Sequence, residues 1–277
     1  MSMEAAPPLG AYAEEVAVLG GLSDPALLRA LLRVDRAAFL PPPPWLVEHV
    51  DGGYYLAGPE RPQVLRHAVA IALDPSRRLN SGNPARIARF IEALAPKPGE
   101  TLLHVGAGLG YYSALLAEMT GGRGRVIAAE IDPVLAASAR QRLAPWPQVE
   151  VTGDALALDP PALDGIFVSA GLAHLPPAWL AALRPGGRMV VPLTGSGETG
   201  FVFLLSRGDD PCRWQARMLS AQKFYSCQGG VRGETAVTAL DRALADPMVT
   251  RVRALRLDRH APGPGCWLHG DGWCLSV

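Results

Sequence analysis

The residues best suited to holding a ligand stand at the ends of three apolar runs. The run 101–105 leads into Gly106, Ala107, Gly108 and Gly110, and a helical segment starts at Tyr111 or Tyr112. Glycines let a backbone turn sharply and come close to a ligand, and the helix start presents free N–H groups to polar or anionic atoms. The second run, 125–129, ends at Glu130, 24 positions after Gly106, with Ile131 behind it. A carboxylate there can accept both hydroxyls of a ribose. The third, 149–151, ends at Gly153 and Asp154, where a carboxylate, or the backbone that follows at Ala155, can hold an adenine amino group. A fourth run, 163–169, ends at Ala170, and His174 follows. Strand ends of this kind are where an open α/β sheet binds its ligand.

A second set of polar residues lies one helix earlier. The loop 79–84 holds Asn80, Ser81 and Asn83, and Arg86 falls in the first turn of the helix after it. Hydroxyl, amide and guanidinium donors are the groups that hold a carboxylate. His174 would serve as a base for a hydroxyl or amine acceptor, although its plainer reading is a packed or solvated loop histidine. Near the C-terminus stand Cys266, His269, Asp271 and Cys274. Their spacing matches no standard zinc pattern, and the segment reads as a hairpin with a Gly-Asp-Gly turn and packed tryptophans, so no metal is expected.

The elements that must position these residues follow from the pattern. Ser23-Asp24-Pro25 signals a helix start, and the helix carries Leu27, Leu28, Leu31 and Leu32 on one side. It closes over 34–40 and stops at Pro41–Pro44. Residues 1–22 read as a loose start with a short apolar segment, 51–55 as a turn, and 64–73 as a strand. Ile87, Phe90, Ile91 and Leu94 make one apolar helical stripe. Helices follow at 132–143 and 179–183, a turn at 184–187, and strands at 189–193 and 201–206. A helix over 234–245 and a strand over 249–257 precede the terminal hairpin. Alternating strands and helices imply an α/β class with a doubly wound, mostly parallel, Rossmann-like sheet and a small α+β C-terminal extension. We divide the chain into 1–83 (helical segment and substrate loop), 84–232 (core) and 233–277 (extension).

Composition narrows the partners. Net charge is zero and 49% of residues are apolar, which supports a sizeable core and gives no basic attraction to nucleic acid or an anionic membrane. No apolar run approaches the ~20 residues that span a bilayer. The N-terminus lacks the basic start and apolar stretch of a secretion signal, and the four scattered cysteines suit a reduced cytoplasm.

The glycine spacing decides between ligand types. A dinucleotide turn reads G-x-G-x-x-G; here it is G-x-G-x-G, with Tyr111 where the third glycine would be. This form resembles the turn of S-adenosylmethionine (SAM) methyltransferases, which bind no pyrophosphate. Several further segments resemble the protein-L-isoaspartate O-methyltransferase family over roughly residues 22–230. LRALLRVDRAAFLP (28–41) is similar to its N-terminal helix with a Val-x-Arg-x-x-Phe-x-Pro ending. LLHVGAGLGYYSALLAEM (102–119), RVIAAEID (125–132) and VTGDA (151–155) are similar to its cofactor motifs, and 163–193 to its fourth- and fifth-strand region. Phe224–Gln228 stands where a Phe-Val-Pro-Leu-like strand is usual. The departure is in the reactive loop, where the family has Ser-x-Pro. Counting back from Pro84 puts Gly82 at the serine, with Ser81 one residue early and Asn83 in the middle.

The resemblance implies a SAM-dependent methyltransferase that yields S-adenosylhomocysteine, with a protein, peptide or small-molecule carboxylate as acceptor. It places the cofactor on Gly106, Ala107, Gly108, Gly110, Tyr111, Glu130, Ile131, Asp154, Ala155 and Ala170, and catalytic roles on Ser81 and Asn83. A carboxylate is already ionised at pH 7, so its methylation needs orientation and desolvation more than a base. Other readings are a non-catalytic SAM-binding protein, a methyltransferase for an RNA base or a small-molecule hydroxyl or amine, and, last, an NAD-dependent dehydrogenase. The C-terminal extension is a candidate surface for a homodimer.

Overall fold

The computed structural model describes residues 9–49, 53–77, 79–227 and 232–277. Helix α1 (Leu9–Gly20) turns through Gly21 into α2 (Pro25–Arg33). The start of α2 is capped as its sequence predicts: the Asp24 carboxylate accepts from the Ala26 N–H at 2.7 Å, and Pro25 sits where no donor is needed. Of 1–22, expected as a loose start with a short apolar segment, residues 1–8 lie outside the described residues and the apolar segment is a helix, Leu9–Gly20. Tyr12, Ala13 and Val16 are buried, so packing against the rest of the protein stabilises a helix whose own pattern is weak.

The segment 45–80 departs most from expectation. Of the turn expected at 51–55, residues 51 and 52 lie outside the described residues, while 53–55 belong to a strand: β1 (Trp45–His49) pairs antiparallel with β2 (Gly53–Ala57). No strand runs over 64–73. Pro62–Arg66 is a 3-10 turn, and only Ala72–Asp74 is extended as β3, beside the two-residue β4 (Leu79–Asn80). The cause is Arg36, which lies in a 3-10 turn (Arg36–Phe39). Its guanidinium donates to the carbonyls of Leu65, His67 and Val69 at 3.2, 3.1 and 2.7 Å, taking the acceptors that a strand ladder would use.

Helix α3 (Pro84–Leu94) buries the expected stripe. Beyond it the chain alternates: β5 (Thr101–Val105), α4 (Tyr111–Thr120), β6 (Arg125–Ala129), α5 (Pro133–Arg142), β7 (Val149–Thr152), β8 (Leu163–Val168), α6 (Pro177–Ala182) and β9 (Leu183–Thr194). Strand β9 absorbs the turn expected at 184–187, because the Gly186 N–H and Gly187 carbonyl bond Arg207 across the sheet. Then come β10 (Thr199–Ser206), β11 (Arg213–Lys223), α7 (Glu234–Leu244), β12 (Ala254–Arg256), β13 (Cys266–Gly270) and β14 (Trp273–Ser276). The strand expected over 249–257 starts as a 3-10 turn (Pro247–Arg251), with Asp246 capping the Met248 N–H, and is extended only in β12.

These strands form one ten-stranded sheet in the order β13-β14-β12-β11-β10-β9-β8-β5-β6-β7. The five from β9 to β7 are parallel, as a doubly wound fold requires, and the rest are antiparallel. The C-terminal strands therefore prolong the core sheet. The chain leaves β5 towards β6 and β7, then crosses back to β8 on the other side. That reversal opens a crevice at the carboxyl ends of β5 and β8. Apolar side chains cover both faces of the sheet. No helix among the described residues is long and apolar enough to cross a membrane.

Candidate functional site

The crevice is built from backbone first. Past β5, the N–H groups of Gly106 and Ala107 both donate to the Ala129 carbonyl, at 2.9 and 3.1 Å, which clamps the turn to β6. Gly106 and Gly110 adopt φ of +78° and +98°, which only glycine takes without strain. At Gly110 a Cβ would also lie 2.8 Å from Leu143 Cδ1. Glu130 follows β6 and is buried. Its Oε2 accepts from the Gly108 N–H at 2.7 Å and its Oε1 from the Asp132 N–H at 3.0 Å. Each carboxylate oxygen has a second lone pair to offer.

A cavity of about 400 Å³ lies above this turn. It is lined by Gly106, Gly108, Glu130, Ile131, Asp154, Ala155 and Ala170 of the expected cofactor residues. Ala107 and Tyr111 line a second, adjoining cavity; Gly110 lines neither and caps α4. Tyr111 is buried, its hydroxyl 3.0 Å from that of Tyr12. The lining suits a nucleoside without phosphate: three carboxylates, Glu130, Asp132 and Asp154, line it, and its arginine, Arg77, is ion-paired to Asp132.

Sequence reasoning missed part of this wall. Trp179 is held by its Nε1–H donating to the Ala155 carbonyl at 3.1 Å. Tyr225, Ser226 and Cys227 arrive from beyond β11, tied to Gly171 by the Gly171 N–H to Tyr225 carbonyl bond (2.8 Å) and the Cys227 N–H to Gly171 carbonyl bond (2.9 Å). The sequence places these three in a strand-like segment, 224–228, but nothing local shows that they face the ligand crevice; pairing with Gly171 brings them there. Burial pushes the Cys227 thiol up to about 11, so it stays protonated near neutral pH. His174 lines neither cavity; its Nδ1 accepts from Trp273 Nε1 at 3.2 Å.

The second cavity, about 240 Å³, shares Leu73, Asn80, Gly106, Gly108, Ser169 and Tyr225 with the first. The reactive-loop residues line it, but their polar atoms are occupied. Ser81 Oγ accepts from Arg36 Nη2 and from the Ile71 N–H, both at 2.9 Å, and lies 3.3 Å from the Gly82 carbonyl to which it donates. Asn83 caps α3: its Oδ1 accepts from the N–H groups of Ala85 and Arg86, and its Nδ2 donates to the Ala68 carbonyl. Asn80 Oδ1 accepts from the Gly82 N–H at 2.9 Å. By contrast, the Tyr112 hydroxyl is buried on this cavity with no hydrogen-bond partner, and burial raises its pKa so that it stays a neutral donor. Arg86 lines the same cavity, exposed.

Gly82, at the position of the family's serine, has φ of +69°, and a Cβ there would lie 3.1 Å from Ile87 Cγ1 and 3.3 Å from the Tyr112 hydroxyl. Gly82→Ser is therefore expected to destabilise the fold by about 1–2 kcal/mol, through left-handed strain and crowding, and to leave methyl transfer no faster. Urea melts and single-turnover rates check both halves; a faster enzyme of unchanged stability would overturn this.

Beneath the turn, His104 of β5 is fully buried between two hydroxyls, Ser113 Oγ at 2.7 Å from Nδ1 and Ser169 Oγ at 2.9 Å from Nε2. It thus ties β5 to α4 and to the end of β8. Burial holds its pKa at about 3, below the ordinary 6.5. Between these values the unfolded chain binds a proton that the folded chain refuses. Stability contributed by neutral His104 is complete above 6.5 and falls as pH drops below it, by up to about 1.4 kcal/mol per pH unit. Urea denaturation at stepped pH should show this slope, and His104→Gln should lose that share of it.

A doubly wound sheet with a glycine turn of this form, a buried carboxylate at the end of β6 and two adjoining cavities has the build of a SAM-dependent methyltransferase. The comparisons agree. The model of the protein-L-isoaspartate(D-aspartate) O-methyltransferase family matches residues 66–222. The protein-L-isoaspartate O-methyltransferase of Methylorubrum populi is 34% identical over 216 residues, 76% of this chain and 90% of that one. That of Methanopyrus kandleri is 32% identical over 203 residues, 71% of this chain and 81% of that one. The chain belongs to the protein-L-isoaspartate(D-aspartate) O-methyltransferase family. The fold is also that of a solved protein-L-isoaspartate O-methyltransferase (TM-score 0.66, 21% identity, 84% of this chain and 69% of that one). A Plasmodium falciparum structure, described as a candidate enzyme of this kind in complex with S-adenosyl-L-homocysteine, gives a TM-score of 0.65 at 15% identity, over 81% of this chain and 100% of that one.

Proposed function

We propose that this enzyme methylates a carboxylate held in the smaller cavity, with SAM in the larger one. SAM supplies an electrophilic methyl group on a sulfonium. Glu130 takes the ribose hydroxyls with its remaining lone pairs, and Asp154 with the backbone of Ala155 takes the adenine amino edge. The backbone of Gly106, Ala107 and Gly108, with Ile131 and Ala170, frames the cofactor. Gly110 and Tyr111 shape the turn from behind. Segment 84–232 acts as the transfer core, 1–83 covers the acceptor side, and 233–277 extends the sheet edge.

The observation that carries the acceptor reading is the unpartnered Tyr112 hydroxyl, on the wall shared with Arg86. A buried neutral O–H and a cation suit a carboxylate, whose transfer needs orientation and exclusion of water. Ser81 and Asn83 act as positioning residues that fix the loop, since their polar atoms are already bonded. Isoaspartyl residues in proteins or peptides are the first acceptors to try, given the names of the relatives.

The test offers labelled SAM with paired peptides, one isoaspartyl and one normal aspartyl. The expected result is a base-labile methyl ester on the isoaspartyl peptide alone, with Tyr112→Phe lowering kcat/KM about 10-fold while SAM affinity holds. SAM binding with no transfer to either peptide would refute isoaspartyl as the acceptor. Unchanged kcat/KM in Tyr112→Phe would remove the hydroxyl from the mechanism.

A further inference from the structure

Outside the crevice, two cysteines and two histidines converge at the far edge of the sheet. One ligating atom each of His260, Cys266, His269 and Cys274 lies within 4.8 Å of all the others. The register explains how residues of irregular spacing meet. In β13–β14, His269 is paired directly with Cys274, and Cys266 with Ser276. Directly paired residues share a face, and Cys274 and Ser276 share one by alternation. Cys266 and His269, three apart, would fall on opposite faces of a regular strand. A β-bulge between Cys266 and Leu268 inserts Trp267 as the extra residue and turns both side chains to one side. The other face carries Leu268, Trp273 and Leu275 into the core, and Trp267 Nε1 donates to the Ala243 carbonyl of α7. His260 then comes in from the loop after β12.

We propose that these four side chains form a structural zinc site of the Cys2His2 type. Zinc–ligand distances of about 2.3 Å to sulfur and about 2.0 Å to nitrogen place tetrahedral ligand atoms roughly 3.3–3.8 Å apart. His260 Nε2 already lies 3.3 Å from Cys266 Sγ, and the rings of His260 and His269 are perpendicular with centroids 5.0 Å apart. The tautomer is set for metal binding. His260 Nδ1 is 3.0 Å from the Asp258 carbonyl, which can only accept, so Nδ1 carries the proton and Nε2 keeps its lone pair. Arg256, two residues away, holds the Asp258 side chain at 2.5 Å. His269 Nδ1 is buried without a hydrogen-bond partner. Both thiols are free, and two thiols plus two neutral imidazoles are the donor set that selects zinc over harder cations. Binding Zn²⁺ releases the two thiol protons and leaves a neutral centre. The site would pin the loop carrying His260 to both strands of the hairpin, where β13 is the unpaired edge of the sheet.

The test is metal content and cobalt spectroscopy on the full-length protein, with no activity readout. Protein from zinc-replete medium should hold one zinc per chain by mass spectrometry of the metal. The Cys266→Ser/Cys274→Ser double variant should hold none, and Cys212→Ser should keep it. Cobalt(II) added to the reduced, chelator-treated protein should give tetrahedral d–d bands and a thiolate-to-cobalt charge-transfer band. That titration also decides the matter if the double variant fails to fold. Zinc-free protein without those bands, a Cys266–Cys274 disulfide in its place, or zinc retained by the double variant would each overturn the proposal.

Discussion

Arg36→Ala should lower the stability of this protein by about 3–5 kcal/mol, the largest effect we expect from a single side chain. Arg36 is 1% exposed, and its guanidinium faces three carbonyls and the Ser81 hydroxyl. Truncation takes the donor from three carbonyls, one of them fully buried, removes one of the two donors to Ser81 Oγ, and leaves a cavity beside them. The same bonds join the segment 65–69 to the reactive loop, so the loss should also loosen the acceptor cavity. Arg36→Lys should rescue little, because an ammonium cannot reach four acceptors spread over a planar fork. Urea melts of both variants give the measurement. A loss below about 1 kcal/mol would mean that water or a rearranged loop takes over these bonds.

Glu130→Ala should weaken SAM binding about 100-fold. In the proposed binding mode the carboxylate accepts from the ribose, a charge-assisted contact worth about 1.5–3 kcal/mol, and it also holds the Gly108 N–H in place. Glu130→Gln keeps one acceptor oxygen and should lose about 10-fold. Titration calorimetry with S-adenosylhomocysteine tests this without any acceptor. Equal affinity for the two variants would show that Glu130 shapes the turn but does not touch the ribose.

The parts of this protein that its sequence determines alone are those with local causes. Glycines at 106 and 110 are required where φ is positive, so the turn is written into the chain. Apolar runs bounded by such turns fix the parallel strands, and Glu130 and Asp154 stand at strand ends whatever packs around them. Asp24, Asn83 and Asp132 cap helices through neighbours two or three residues away. The stripe of α3 is a matter of helical period.

The tertiary structure decides what depends on partners far along the chain. Helix α1 forms because α3 and α2 bury one side of it. The strand expected over 64–73 gives way because a guanidinium about 30 residues earlier claims its carbonyls. Ser81 and Asn83 carry the chemistry of a carboxylate clamp, yet Arg36, Ile71 and Ala68 use their polar atoms first, while Tyr112, an ordinary aromatic in the sequence, keeps a buried hydroxyl free. At the C-terminus the spacing of Cys266, His269 and Cys274 excludes every familiar metal pattern, and His260 carries no signal at all. One bulged residue, Trp267, reverses the alternation of β13 and brings Cys266, His269 and Cys274 to one face, where the loop after β12 adds His260. Period-two alternation can be read along a chain, but a bulge is chosen by the packing on the other face, where Trp267 fits against α7.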